Sequence, residues 1–153
     1  MPTPHYRRIR EFMQKAGQET PETVTIPNAE TRILRAKLIL EEALETVHAL
    51  GVVVRAGGAE GPELIEGHLS YADGREPNLE GVVDGCADIS VVTMGTLIAF
   101  GVDDEPVLAE VDSANLRKFG PGGRRRDDGK WMKPPDWTPP DILGAVARGN
   151  PAN

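Results

Sequence analysis

Residues 38–47 read LILEEALETV, three glutamates set inside what is otherwise the apolar heart of a helix. At about 100° per residue, Glu41, Glu42 and Glu45 fall within one sector of roughly 100°. Leu34 and Leu38 project into that sector from the preceding turns, and Ala49 from the following one. The opposite side carries Ile33, Ala36, Leu40, Ala43 and Val47. A helix that is apolar nearly all round is expected to hold its glutamates in a walled depression. The alternative is a solvated charged face, for which Lys37 alone offers a nearby opposite charge.

A second helix repeats the anomaly. In VVDGCADISVVTMGTLIAF, residues 82–100, Asp84 and Asp88 stand i, i+4 among almost wholly apolar neighbours. Buried carboxylates are strongly disfavoured unless cations compensate them. Arginines or a divalent ion would serve, and neither helix brings enough Lys or Arg to its acidic sector. Five carboxylates, no cysteine pair and no histidine cluster select a hard cation, Mg²⁺ or Mn²⁺, over zinc. His5, His48 and His68 are scattered and read as surface or helix-flank residues. Neutralising the five carboxylates would bring the formal charge from −7 to −2, so the acidity is concentrated where a metal would cancel it.

Around these two helices the chain reads as one all-α domain of 153 residues, long enough for a real core. Aromatics are only 5% of it, so aliphatic side chains must build that core. A helix is expected from Tyr6 to Ala16, with Ile9, Phe12 and Met13 on one face and Gly17 as its stop. Pro21 and Pro27 mark an extended connector. Asn28 caps the first acidic helix, which the pattern carries to about Val54. Residues 55–81 form a turn-rich excursion with a short ribbon around Leu64 to Tyr71. The second acidic helix runs from about Leu79 to Phe100, and Asp103 or Asp104 caps a third from about Glu105 to Lys118. The helical core thus spans about 5–118, and residues 119–153 form an irregular basic arm containing Trp131 and Trp137.

Several classes are excluded. A single cysteine, Cys86, permits no intramolecular disulfide framework and fits a cytoplasmic protein. MPTPHYRRIREF lacks the apolar run of a signal peptide. The charge of −7 argues against stable nucleic-acid binding. The apolar run 82–102 carries Asp84 and Asp88, and its uncharged part is shorter than the ~20 residues of a membrane span. A buried core helix is expected instead.

The basic residues gather after residue 116: Arg117, Lys118, Arg124, Arg125, Arg126, Lys130 and Lys133. A carboxylate cage holding Mg²⁺ beside a basic arm suits a polyphosphate substrate, with the metal bridging phosphate oxygens and the cations taking outer charges. Arg124 to Arg126 read equally well as phosphate-binding residues or as a run that is merely solvated or touches nucleic acid. Lys118 and Lys130 are the better phosphate candidates.

LILEEALETV together with DGCADISVVTMGTLIAFGVD resembles the EExxE…ExxD signature of the all-α NTP pyrophosphohydrolases, the MazG-like and phosphoribosyl-ATP pyrophosphohydrolase-like group. EVDSANLRKFGPGGRRRDDGKWMKPPDWTPPDI is similar to the tail of its single-domain bacterial and phage members. The resemblance implies a helical bundle completed by dimerisation or tetramerisation. Two or three Mg²⁺ or Mn²⁺ ions would sit between the acidic helices. It further implies that Glu41, Glu42, Glu45 and Asp88 are catalytic metal ligands, one glutamate orienting the attacking water. Asn115 and Lys118 match substrate-contacting positions, Lys130 a tail residue closing over the substrate, and Phe12 and Gln18 pocket positions. Phe12 and Met13 read equally as ordinary core. The family pattern would put glutamate at position 85. Here Gly85 stands there with Asp84 before it, so Asp84 binds metal directly or only through a water.

The implied reaction splits a nucleoside triphosphate between the α and β phosphates. The compact form and tail resemble phage members, including the MazZ-type enzymes acting on dGTP, which inclines the reading to a purine deoxynucleotide in the host cytoplasm. Three alternatives stay open: a dUTP or dUDP hydrolase of the same fold, a phosphoribosyl-ATP pyrophosphohydrolase, and a non-catalytic nucleotide-binding module.

Overall fold

The computed structural model of the chain describes residues 1–58, 67–127 and 129–150. It is 55% helical, with five α-helices and only small sheets among those residues, an all-α fold. The chain falls into two compact units, residues 27–96 and a discontinuous unit of residues 1–26 with 97–153.

The contiguous unit carries helix α2, Ala29–Ala49. Asn28 caps it, its side chain accepting from Thr31 N at 2.8 Å. The expected continuation to Val54 does not occur. Gly51 turns the chain at φ 79°, and Val52–Ala56 becomes strand β1. No other residue fits at 51, because a Cβ there would collide with the carbonyl of Arg75. Val52, Val53 and Val54 extend the apolar pattern of α2 in sequence, but β-branched side chains are at home in a strand. Strand β2, Leu69–Asp73, pairs antiparallel with β1, Val54 opposite Tyr71. A ribbon is therefore present, its first strand earlier than expected and its second overlapping the expected region; the Leu64 end of that expectation falls outside the described residues.

Helix α3, Leu79–Ala99, follows. Its burial repeats along one stripe: Gly85, Val92 and Gly95 are buried and Gly81 and Asp88 half-buried. Small residues let backbones approach closely, and α3 meets α2 at two such points, Gly81 against Ala49 and Gly85 against Thr46. On α2 the inward face is Arg35 and Thr46, with Leu38, Ile39 and Glu42 half-buried. The expected buried core helix is only partly so. Of its apolar window, long and hydropathic enough to cross a membrane, 28% is buried within the chain.

The discontinuous unit holds α1, Pro4–Lys15, ended by Gly17, and α4, Asp104–Leu116, prolonged by a 3-10 turn, Arg117–Phe119. Asp103 occupies the N-cap position of α4 without a capping bond. Asp104, wholly buried, instead accepts from Thr3 N at 3.0 Å and from the Thr3 hydroxyl. Tyr6, Met13, Ile98, Ala99, Ala114 and Ala145 form the core of this unit.

The C-terminal arm is more ordered than expected. Two indole N–H groups fasten it to the end of the third core helix: Trp131 donates to Lys118 O at 2.6 Å and Trp137 to Ala114 O at 2.8 Å. Between them lies a minimal ribbon, β3 Arg124–Arg125 with β4 Trp131–Met132. A fifth helix, α5 Ile142–Gly149, then packs on α4. Glu110 ties this together, accepting from Asp141 N at 3.1 Å and pairing with Arg148 at 3.2 Å and Arg117 at 3.6 Å.

Candidate functional site

The three glutamates of α2 are not equivalent. Glu42 lies on the inward face, one turn before Thr46, whose hydroxyl donates to Glu42 O at 2.7 Å. It is half-buried, whereas Glu41 and Glu45 are exposed on either side of it. On α3, Asp88 is the half-buried member and Asp84 the exposed one. Burial pushes the Glu42 carboxyl above the usual range, and Asp88, Glu45, Glu41 and Asp84 push it further by repulsion, in that order. The other four acidic residues thus all act on Glu42. That answers why the helix carries three like charges: one is turned inward and two flank it.

Beside this point lies a cleft of about 540 Å³. Leu44, Glu45, His48 and Ala49 of α2 line one side, and Gly81, Asp84, Gly85 and Asp88 of α3 the other. Its size is in the range of small-molecule sites. Of the apolar residues expected beside the glutamates, Leu38 and Ala49 are half-buried and Leu34 is exposed, so among the described residues the depression is only partly walled.

Gly85 explains why no glutamate stands in the second half of the acidic pattern. A Cβ at 85 would overlap the Thr46 hydroxyl and lie 3.1 Å and 3.2 Å from Thr46 Cβ and Cα. Position 85 is therefore spent on the close approach of α3 to α2. Asp84, one residue earlier, lines the cleft together with Asp88 and Glu45.

The donor set fits a hard divalent cation in charge and chemistry: all oxygen, acidic, and mutually repelling in its absence. It is not a ready-made cage. Among the described residues, no three Asp, Glu, His or Cys side chains converge closely enough to enclose an ion. Glu41, Glu45 and Asp84 are exposed, so their side chains are free to change rotamer.

The remaining sequence candidates belong to the discontinuous unit. Lys118 Nζ donates to Asn115 Oδ1 at 2.7 Å, joining two of them in one pair. The ammonium also lies 5.9 Å from the Trp137 ring, and Lys133 sits over the same ring at 3.9 Å. Lys130 is exposed near the β3–β4 ribbon, and Gln18 is half-buried after α1. Met13 is core, but Phe12 is 61% exposed, so the core reading holds for one and not for the other.

A family model described as phosphoribosyl-ATP pyrophosphohydrolase matches residues 6–115. The chain belongs to that family. It is accordingly a hydrolase of phosphoanhydride bonds, within the MazG-like all-α superfamily. No individual curated protein matches it. The match spans α1 to the end of α4 and contains both acidic helices, whereas the tryptophan-fastened arm and α5 lie beyond it.

Two residues of this pyrophosphohydrolase escaped the sequence reading. His48, exposed in the last turn of α2 as expected, also lines the cleft. Its position three residues after Glu45 was the available signal, since i, i+3 side chains share a face. Arg75, at the base of the β1–β2 ribbon, hydrogen-bonds to the His48 ring. Nothing in the linear sequence joins positions 27 residues apart across a ribbon.

Proposed function

We propose that this protein is a divalent-metal-dependent nucleoside triphosphate pyrophosphohydrolase, cleaving the α–β phosphoanhydride to release monophosphate and pyrophosphate. The observation that carries this is the cleft of substrate size between α2 and α3, lined by Glu45, Asp84 and Asp88, within the segment that the pyrophosphohydrolase family model matches. Glu41, Glu42, Glu45, Asp88 and Asp84 would hold Mg²⁺ or Mn²⁺, which supplies charge neutralisation and polarisation of the phosphates. A glutamate not taken up by the cation orients the attacking water. Asn115, Lys118 and Lys130 contact phosphate and sugar, and Phe12 and Gln18 the rest of the nucleotide. The substrate class we favour is a purine deoxynucleoside triphosphate such as dGTP.

The family's own description favours a second reading, hydrolysis of phosphoribosyl-ATP. The segment after residue 115 argues for the first, because it places an ordered basic arm around Lys118. Mg²⁺ with a panel of dNTPs, NTPs and phosphoribosyl-ATP, assayed for pyrophosphate, decides between them. Turnover of phosphoribosyl-ATP alone selects the second reading, and no turnover of any member returns the chain to a nucleotide-binding module.

We further propose that a second copy of the chain covers the outer faces of α2 and α3. Leu40 is 60% exposed, Leu79 77% and Val83 62%, alongside Ile33 and Leu44. A membrane is a poor cover for them, because Asp84 and Asp88 would each cost about 2.5–3.5 kcal/mol there. The assembly is placed in the cytoplasm. Sedimentation of the protein should show a dimer or tetramer; a monomer at micromolar concentration would remove this part.

A further inference from the structure

The unit that carries the carboxylates also carries a cation, Arg75, held against one residue of the cleft wall, His48. The segment 74–78 is clamped to the C-terminal end of α2 by its backbone. Gly74 N and Arg75 N both donate to Gly51 O, at 2.9 and 3.1 Å, and Asn78 N donates to Ala49 O at 2.8 Å. Gly51 has no Cβ, and the Arg75 carbonyl occupies the space one would fill. Arg75 is thereby fixed beside the last turn of α2, where His48 and Ala49 line the cleft.

Its side chain turns to His48. A guanidinium has only donors, so in this bond the His48 ring nitrogen is the acceptor. One of the five guanidinium N–H groups is used in this way. No carboxylate pairs with Arg75 among the described residues, although the unit is rich in them. An arginine held by a neutral acceptor keeps its charge and most of its fork for a further anion. Glu45, Asp84 and Asp88 face the cleft from the other side of His48.

The geometry points to Arg75 as a phosphate-binding residue of this site, with His48 as its positioning residue. Together they grip the pyrophosphate end of the substrate at the ribbon end of the cleft. This rests on the pyrophosphohydrolase reading above and deepens it. Water attacks the α-phosphorus, the bond from that phosphorus to the bridging oxygen breaks, and its electron pair leaves on pyrophosphate. The proton lost by water passes to a carboxylate. A fixed guanidinium at the departing end compensates the charge that develops there.

The test compares Arg75→Ala and His48→Leu with Arg55→Ala, which removes the same charge from exposed strand β1. Titration calorimetry with inorganic pyrophosphate and Mg²⁺ should show affinity reduced roughly 10- to 100-fold in Arg75→Ala, the size expected of a charge-assisted hydrogen bond pair. Affinity for a nucleoside monophosphate and for Mn²⁺ alone should be unchanged. Turnover should fall with a raised KM for triphosphate. His48→Leu should lose a similar factor, His48→Gln should recover much of it by supplying an acceptor oxygen, and the double variant should be no worse than Arg75→Ala. Pyrophosphate binding in Arg75→Ala equal to that of Arg55→Ala would overturn the assignment while leaving the enzyme reading intact. A wild-type protein that binds pyrophosphate through Arg75 but turns over no triphosphate would instead overturn the enzyme reading alone. Wild-type protein that binds no pyrophosphate overturns both.

Discussion

Gly85 of α3 rests directly on Thr46 of α2, with no room for a β-carbon between them. The Thr46 hydroxyl cannot swing away freely, because it is bonded to Glu42 O at 2.7 Å. The position where the family pattern would supply a glutamate is thus a helix-crossing point, with Asp84 the carboxylate next to it in sequence.

Restoring glutamate at 85 should therefore fail. Gly85→Ala would gain about 1 kcal/mol of helix propensity, but overpacking costs typically 1–3 kcal/mol and wins here because Thr46 Cα lies behind the hydroxyl. The expected result is a lowered melting temperature for Gly85→Ala and a larger drop for Gly85→Glu. Thr46→Ala should partly rescue Gly85→Ala, measured as a coupling in urea denaturation. Equal stability of Gly85→Ala and wild type would show that the helices sit further apart.

Glu42 sets a pH dependence. Its folded carboxyl binds a proton more tightly than in the unfolded chain. The stability it contributes is fully present below the unfolded value of about 4.3 and is lost as pH rises through the higher folded value. Metal-free protein should therefore lose stability over that window, and Glu42→Gln should flatten the slope. Melting temperatures taken from pH 4 to 7 in EDTA check this.

Metal should act in the opposite sense. Mg²⁺ or Mn²⁺ binds the folded carboxylates and not the dispersed ones, so adding it should raise the melting temperature, and chelation should abolish activity. Full turnover with unchanged stability in excess EDTA would return the five residues to a plain charged surface.

Glu45→Gln keeps shape and removes a charge, so the protein should fold, even more stably, and lose at least ~10²-fold in rate. Asp88→Asn should be as severe. Asp84→Asn separates two roles: direct ligation predicts sharply weakened Mn²⁺ binding, while a role through water predicts a loss of roughly 10- to 100-fold in rate.

The arm can be probed at one bond. Trp131→Phe preserves the ring packed 4.8 Å from Phe119 but loses the donor to Lys118 O. It should cost about 1 kcal/mol. Lys118→Ala should raise KM while leaving Mn²⁺ affinity intact. An unchanged KM would make Lys118 a partner of Asn115 and nothing more.

Much of this architecture was written locally. Asn28, Gly17 and Gly101 punctuate helices through capping and positive φ, and the i, i+4 pair Asp84 and Asp88 declared its shared face. What was not local was not legible. Val52 to Val54 look like more helix until Gly51 is seen pressed against Arg75. Glu42 differs from Glu41 and Glu45 only by which side of α2 meets α3. The helix α5 hides in a stretch rich in Gly and Pro because its eight residues depend on packing against α4. His48 and Arg75 meet only through a ribbon that brings distant positions together.

The bond between Thr3 and Asp104 has a consequence for synthesis. The N-terminal helix leaves the ribosome first, yet its anchor is a hundred residues away, in the discontinuous unit that also needs residues 97–150. Residues 27–96 are translated as an unbroken block and meet no such delay. The partner of Thr3 is therefore synthesised only after the whole acidic, ribbon-bearing unit, and the Thr3–Asp104 bond closes a loop whose entropic cost grows only logarithmically with length. Helix α1 can complete this contact only once α4 has been made.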